Sequence, residues 1–308
     1  MDALAAAMPV AFHLWVFAAG AVIGSFLNVV IARVPKEESI VSPGSRCPRC
    51  KAEIRWYDNV PLISWLLLRA RCRHCGAPIS ARYPMVELLT GVIAVAVVRV
   101  QGPTLASLGY VLFAAALIAL AFIDLDTWLL PHQITWPLLA AGLLSPLWNR
   151  ELTFLESALG AAAGFLLFAA IAVVGEKVLK RETMGWGDVW LLAGIGAWLG
   201  LHALLPVVML SAVQGALIGG ILIAVGRDPA RRTEADSPSA PAAAPDPVVP
   251  PAAPAEPALG HSATDDDWVP PKHAVPYGPF LALAALEQLL VGGKLAALYE
   301  ALLGRLWA

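Results

Sequence analysis

Two carboxylates in this chain stand where a carboxylate needs a reason. In the stretch AFIDLDTWLLPH (121–132), an apolar run from Leu105 to Ile123 ends on Asp124, and Asp126 follows two residues later. In GWGD (185–188), Asp188 opens a later apolar run, Val189 to Leu205. An acid at the end of a membrane helix is unfavourable unless it faces water, protein or a partner. If Asp124 and Asp188 meet at one membrane face, they form a two-carboxylate hydrolytic site. Two carboxyls a few ångströms apart share one proton, because both cannot ionise easily. The ionised one takes a proton from a bridging water while the protonated one polarises a carbonyl. That is general acid–base hydrolysis of a peptide bond without a covalent intermediate. The pair titrates as a unit, so acid and base are not assigned to particular residues.

The neighbours fit this chemistry. Gly185 and Gly187 permit close approach of another chain. Asp188 lies near the positive end of its own helix dipole. Residues two apart on a helix face different ways, so only one of Asp124 and Asp126 can aim at Asp188. Asp124 follows the apolar run directly and is the choice. Either acid alone also reads as a helix cap or as a partner for Lys177, Lys180 or Arg181. Two acids at one face, one of them in a Gly-x-Gly-Asp turn, favour the site.

All four cysteines form a second constellation: Cys47 and Cys50, then 21 residues, then Cys72 and Cys75. Two C-x2-C knuckles offer four thiolates to one tetrahedral ion, the arrangement of a structural zinc site. The alternatives are disulfides, disfavoured in a reducing compartment, and an iron–sulfur cluster. Four thiolates close the shell, so the metal folds the loop and does not catalyse, and His74 inside the second knuckle is a bystander.

The elements that must position these groups are membrane helices. The chain of 308 residues is 58% hydrophobic and only 14% charged, with mean hydropathy +0.69. That balance belongs to a polytopic membrane protein. The expected fold is all-α, with about eight transmembrane helices at 10–32, 84–101, 105–123, 133–148, 152–175, 189–205, 206–226 and 278–292. A small cytoplasmic zinc-binding domain follows the first. His202 and Pro206 are read as the outer turn between the sixth and seventh. The chain then divides into a first helix (1–32), a cysteine loop domain (33–83), a membrane core (84–226), a linker (227–276) and a last helix with its tail (277–308). The first run lacks a basic segment before it and is read as a retained helix.

Gly20 and Gly24 in that helix form a small-xxx-small face for a partner helix. Ser25 and Asn28, three apart, share one side. Glu87, near the start of the second span, is read as solvated or paired with a group such as Arg82. The segment 33–83 carries ten of the 21 Lys and Arg residues against four acids, which marks it as cytoplasmic. Alternation then puts Asp124 and Asp188 on that same side. Trp56, Tyr57, Trp65 and Leu66 to Leu68 read as a surface lying against lipid. The linker holds 12 of the 25 prolines and cannot bury a core. Asp265 to Asp267 within it is a solvated acidic run, and the tail from Lys294 is amphipathic. Deleting residues 230–268 is expected to leave catalysis unchanged, measured as turnover per chain. The net charge of −2 says nothing about nucleic acid, but no basic patch interleaved with aromatics appears outside the cysteine loop, and no nucleic-acid partner is expected.

These residues together resemble the bacterial prepilin leader peptidase/N-methyltransferase family. The likeness runs through GSFLNVVIARVP (24–35), both cysteine knuckles, WYDNVPLISWLLLRARCRHC (56–75), ARYPMVELLTG (81–91), FIDLDTWLLP (122–131), GWGD (185–188) and PYGPFLALAAL (276–286). It implies an inner-membrane aspartic endopeptidase that cuts basic leaders from type 4 prepilins and pseudopilins after a glycine, with Asp124 and Asp188 at the catalytic positions. It also implies methylation of the new N-terminal amine by S-adenosylmethionine, an activity linked to the cysteine loop. The donor's site cannot be read from residues; Asn28, Glu87 and the cysteine loop are its neighbourhood. Two departures stand out: His132 where the family commonly has an acid, and the long linker. The competing class is a transporter or pilus assembly factor with intramembrane acids. Such a protein would show internal repeats and acids near the midplane, and neither is visible here. A zinc-dependent hydrolase is disfavoured by the closed thiolate shell.

Overall fold

A computed structural model describes residues 9–180, 184–224 and 275–306, with side chains as far as residue 293. The linker from 227 to 274, its acidic run, Arg181 and the side chains of the tail lie outside the described residues. Among the described residues, those up to Val213 and from Pro276 onward form one compact unit.

Nine α-helices are described: α1 Val10–Arg33, α2 Ile63–Leu67, α3 Arg82–Gln101, α4 Leu105–Thr127, α5 His132–Leu144, α6 Phe154–Leu179, α7 Trp186–Leu199, α8 Leu201–Ala224 and α9 Gly278–Leu306. All but the short α2 coincide with the eight apolar runs. Five of them (α1, α3, α4, α6 and α8) have the length and hydropathy to cross a membrane. The fold is all-α; only two isolated bridges, Arg46 to Glu53 and Arg71 to Pro78, interrupt it among the described residues.

The break between α7 and α8 corrects one expectation. It falls at Gly200, whose φ of +79° suits glycine, and Pro206 continues inside α8. At 14 residues α7 is only about 21 Å long, shorter than the roughly 30 Å hydrocarbon layer.

The helix α4 is the centre. Phe113, Leu117, Leu120 and Ile123 are fully buried, and a helix apolar on every side belongs inside a bundle. Thr104 starts it with a reciprocal cap to Ser107, and Trp128 in a left-handed conformation ends it. Around it, α1 meets α3 through Gly20 and Gly24. A Cβ on Gly20 would stand 2.8 Å from that of Ala94, and one on Gly24 would stand 2.7 Å from the Glu87 Cα. The expected small-residue face is present, and α3 is its partner.

The helices α5, α6 and α7 form a second seam. Gly160 on α6 and Gly196 on α7 face each other so closely that a Cβ on either would lie 2.2 Å from the other's carbonyl oxygen. Ser157 Oγ reaches the carbonyls of Gly142 and Ala197, at 3.1 and 2.9 Å, and Trp198 Nε1 donates to the Leu138 carbonyl at 2.9 Å. These side-chain bonds tie three helices together where lipid offers polar groups no partner.

Candidate active site and metal centre

The last turn of α4, the first turn of α7 and the start of α9 converge. Asp124 is buried at 5% exposure, and its Oδ2 accepts a hydrogen bond from the Gly278 N–H at 3.0 Å. That N–H belongs to the first turn of α9, where backbone donors lack intrahelical partners and the dipole favours negative charge. A Cβ on Gly278 would sit 2.6 Å from Asp124 Oδ2, so only glycine lets the backbone come this near.

Asp188 lies in the first turn of α7, and its N–H donates to the Gly185 carbonyl at 3.1 Å. Its Oδ1 is buried with no hydrogen-bond partner among the described residues, and it lies within the electrostatic reach of Asp124. Leu130, between α4 and α5, packs beneath both elements. A Cβ on Gly187 would lie 2.7 Å from it, and one on Gly278 would lie 3.4 Å away. Asp124 therefore faces the N-terminus of α9, Asp188 stands in the first turn of α7, and the same leucine packs against both turns.

Neither aspartate has an ion-pair partner among the described residues. The described pairs are Arg82 with Asp126 at 2.7 Å and Arg73 with Asp58. Asp126 thus points away, and Arg82 also donates to the Phe122 carbonyl at 3.1 Å, holding the start of α3 against the end of α4. The expectation for Glu87 is corrected. It is 8% exposed and accepts from the Leu62 N–H at 2.7 Å, while Arg82 is engaged elsewhere. His132 stacks on Trp136 at 5.1 Å, on the exposed side of α5.

Sequence reasoning passes over Tyr277. Its hydroxyl shares a 2.5 Å hydrogen bond with Ser211 Oγ, its ring lies 6.1 Å from that of Phe168, and Asp188 acts on it electrostatically. The available signal is the Pro-Tyr-Gly-Pro sequence, in which prolines fix the backbone on either side of the Tyr-Gly pair.

The four cysteine sulfurs all lie within 4.8 Å of one another. Cys47 faces Cys75 and Cys50 faces Cys72, each at 3.9 Å. Disulfide bonding requires about 2.05 Å. Tetrahedral coordination with metal–sulfur bonds of about 2.3 Å requires sulfurs about 3.8 Å apart, so the donor set fits one metal ion. The knuckles are built alike. Cys47 donates to the Ala52 carbonyl and Cys72 to the Ala77 carbonyl, and Lys51 and Gly76 take the equivalent left-handed position. The backbone of Cys50 and Arg49 pulls the Cys47 thiol pKa down to about 6, whereas at Cys50 the same effect from Ala52 is outweighed by burial and the neighbouring sulfurs, which push that thiol up to about 11. Donors aimed at sulfur favour thiolate. Beside the knuckles, Arg73 grips Asp58 at 2.8 and 2.5 Å and holds that carboxyl below the usual carboxylate range.

Comparison with known proteins gives two adjoining matches. A family model described as the bacterial peptidase A24 N-terminal domain matches residues 18–100, and one described as the type IV leader peptidase family matches residues 111–220. A protein of Myxococcus xanthus named prepilin leader peptidase/N-methyltransferase is 42% identical, covering 94% of this chain and 93% of its own. Proteins of the same name from Aeromonas hydrophila and Burkholderia pseudomallei are 41% and 38% identical, over 70% and 72% of this chain and 83% and 80% of theirs. No solved structure matches.

Proposed function

The chain belongs to the type IV leader peptidase family, and from that premise we propose that it is a prepilin peptidase with an N-methyltransferase activity, hydrolysing leaders with Asp124 and Asp188. The observation that supports the mechanism is the convergence of the end of α4 with the starts of α7 and α9, which carries Asp124 and Asp188 to one end of the bundle with neither ion-paired among the described residues. The substrate's scissile carbonyl lies over the pair. One carboxylate takes a proton from water, the water oxygen bonds to the carbonyl carbon, and the carboxylic acid protonates the carbonyl oxygen. The tetrahedral adduct then gives a hydroxyl proton to the ionised carboxylate as its carbon–nitrogen bond breaks, and the other carboxyl protonates the departing amine, which restores the pair. The Gly278 N–H keeps Asp124 in place through this exchange, and Tyr277 closes the side next to Asp188.

Prepilins and pseudopilins are the substrates, and the enzyme is a multi-pass protein of the bacterial inner membrane with its site on the cytoplasmic face. The basic excess of residues 33–83 supports that orientation. Trp56, Leu66 and Leu67, all exposed on the cysteine domain, support its lying on the lipid surface, where leaders with positive charge would gather. The four cysteines hold structural zinc, and S-adenosylmethionine supplies the methyl group for the new N-terminal amine.

Incubation of the purified protein with a prepilin and a labelled methyl donor tests the reading. The product should lose its leader mass and gain one methyl group; an intact substrate would overturn it. Cys47→Ser is expected to reduce bound zinc from one per chain to none, measured by metal analysis. Methylation should fall further than cleavage, because the metal shapes the loop and not the aspartate pair. Equal and total loss of both activities would mean that the loop also supports the peptidase fold.

A further inference from the structure

A cavity of about 700 Å³ lies between the cysteine domain and the ends of α1 and α3, within the roughly 300–1,000 Å³ range of small-molecule sites. Its wall contains one buried carboxylate, that of Glu87. The Leu62 N–H and Ser25 are its hydrogen-bonding neighbours, and it has no ion-pair partner among the described residues. The other acids on the wall differ. Asp58 is neutralised by Arg73, and Glu53 is exposed. A carboxyl buried without a counter-charge either keeps a proton or takes a cation beside it, and the cavity leaves room for the cation. Trp65 also lines the space. Its Nε1 is spent on the Ile79 carbonyl at 3.2 Å, which leaves its ring available as an apolar surface. Arg46, at the rim, offers a positive charge.

An anion deep in the cavity, an aromatic plate and a guanidinium at the mouth match a ligand with a cationic centre, a flat base and a carboxylate. Resting on the methyltransferase half of the proposed function, we infer that this cavity binds S-adenosylmethionine with Glu87 opposite its sulfonium. The cavity reaches Tyr83 and Pro84 at the start of α3, the helix that is tied to the end of α4. Arg82, five residues before Glu87 on α3, is paired with Asp126, two residues beyond Asp124. The new N-terminal amine of the cut chain is the methyl acceptor. In the transfer the amine's lone pair takes the methyl carbon, the carbon–sulfur pair remains on a now neutral thioether, and one proton leaves the secondary ammonium for solvent.

The test uses full-length protein in detergent and two ligands that differ by charge, S-adenosylmethionine and the neutral S-adenosylhomocysteine. Glu87→Gln keeps an acceptor for the Leu62 N–H and removes the charge. Calorimetry should show about tenfold weaker binding of the sulfonium ligand and less than about twofold change for the thioether, with prepilin cleavage retained. Equal losses for both ligands would reduce Glu87 to a brace for Leu62 and overturn the assignment, as would unchanged binding of both. Ultraviolet cross-linking of the labelled donor to the wild-type chain should mark peptides from residues 45–87, and label confined elsewhere would refute the site whatever the variant does. A wild-type chain that cleaves but binds neither ligand would remove the methyltransferase reading and this site with it.

Discussion

Asp124→Asn and Asp188→Asn are each expected to slow leader removal by about 10³-fold, with the chain still inserted and its metal still bound. General acid–base groups contribute roughly 10² to 10⁴ in rate. In the proposed mechanism one proton is shared between two carboxyls, so losing either member disables both halves of the exchange. The double variant should therefore be little worse than the singles, because residues that act as a unit do not add. Mass analysis of a prepilin after incubation reads the result directly. Asp126→Asn is the control. It breaks an ion pair with Arg82 that is 42% exposed on the carboxylate side, worth at most about 1 kcal/mol, and cleavage should stay within about twofold. Full activity in either Asn variant of the pair would sink the mechanism.

The second large effect is on the bundle itself. Gly196→Ala is expected to lower stability in detergent by about 3 kcal/mol, since a methyl group cannot enter a gap of 2.2 Å without parting two backbones. Melting should fall by roughly 10 °C. Cleavage and methylation should decline together, because α7 carries Asp188. Gly220→Ala, where an added Cβ meets nothing within 4 Å, should leave the melting point unchanged. A Gly196 variant as stable as the native chain would show that α6 and α7 are not held at this distance.

Helix positions were legible because lipid demands long apolar runs, and the runs here are separated by turn residues and charge. The α7–α8 junction was misread for an instructive reason. Proline is the stronger breaker, but in the second turn of α8 Pro206 forfeits only one intrahelical bond, while Gly200 takes the left-handed bend itself. Asp124 and Asp188 were conspicuous because each ends or starts an apolar run. The Gly278 contact to Asp124 was not, since 154 positions separate donor and acceptor. The role of Glu87 was hidden too. Its partner is a main-chain N–H at Leu62, a residue with φ of +60° whose side chain gives no sign of that conformation. The equivalence of Lys51 and Gly76 in the two knuckles was likewise masked, because lysine does not advertise a positive φ.

The hydrogen bond from Gly278 to Asp124 bears on how the enzyme is born. A chain emerging from the ribosome exposes both aspartates well before its final apolar segment has been made. At synthesis rates of roughly 5–20 residues per second, several seconds pass before that donor exists. Until Gly278 is made, Asp124 lacks the backbone N–H that holds it in the folded chain.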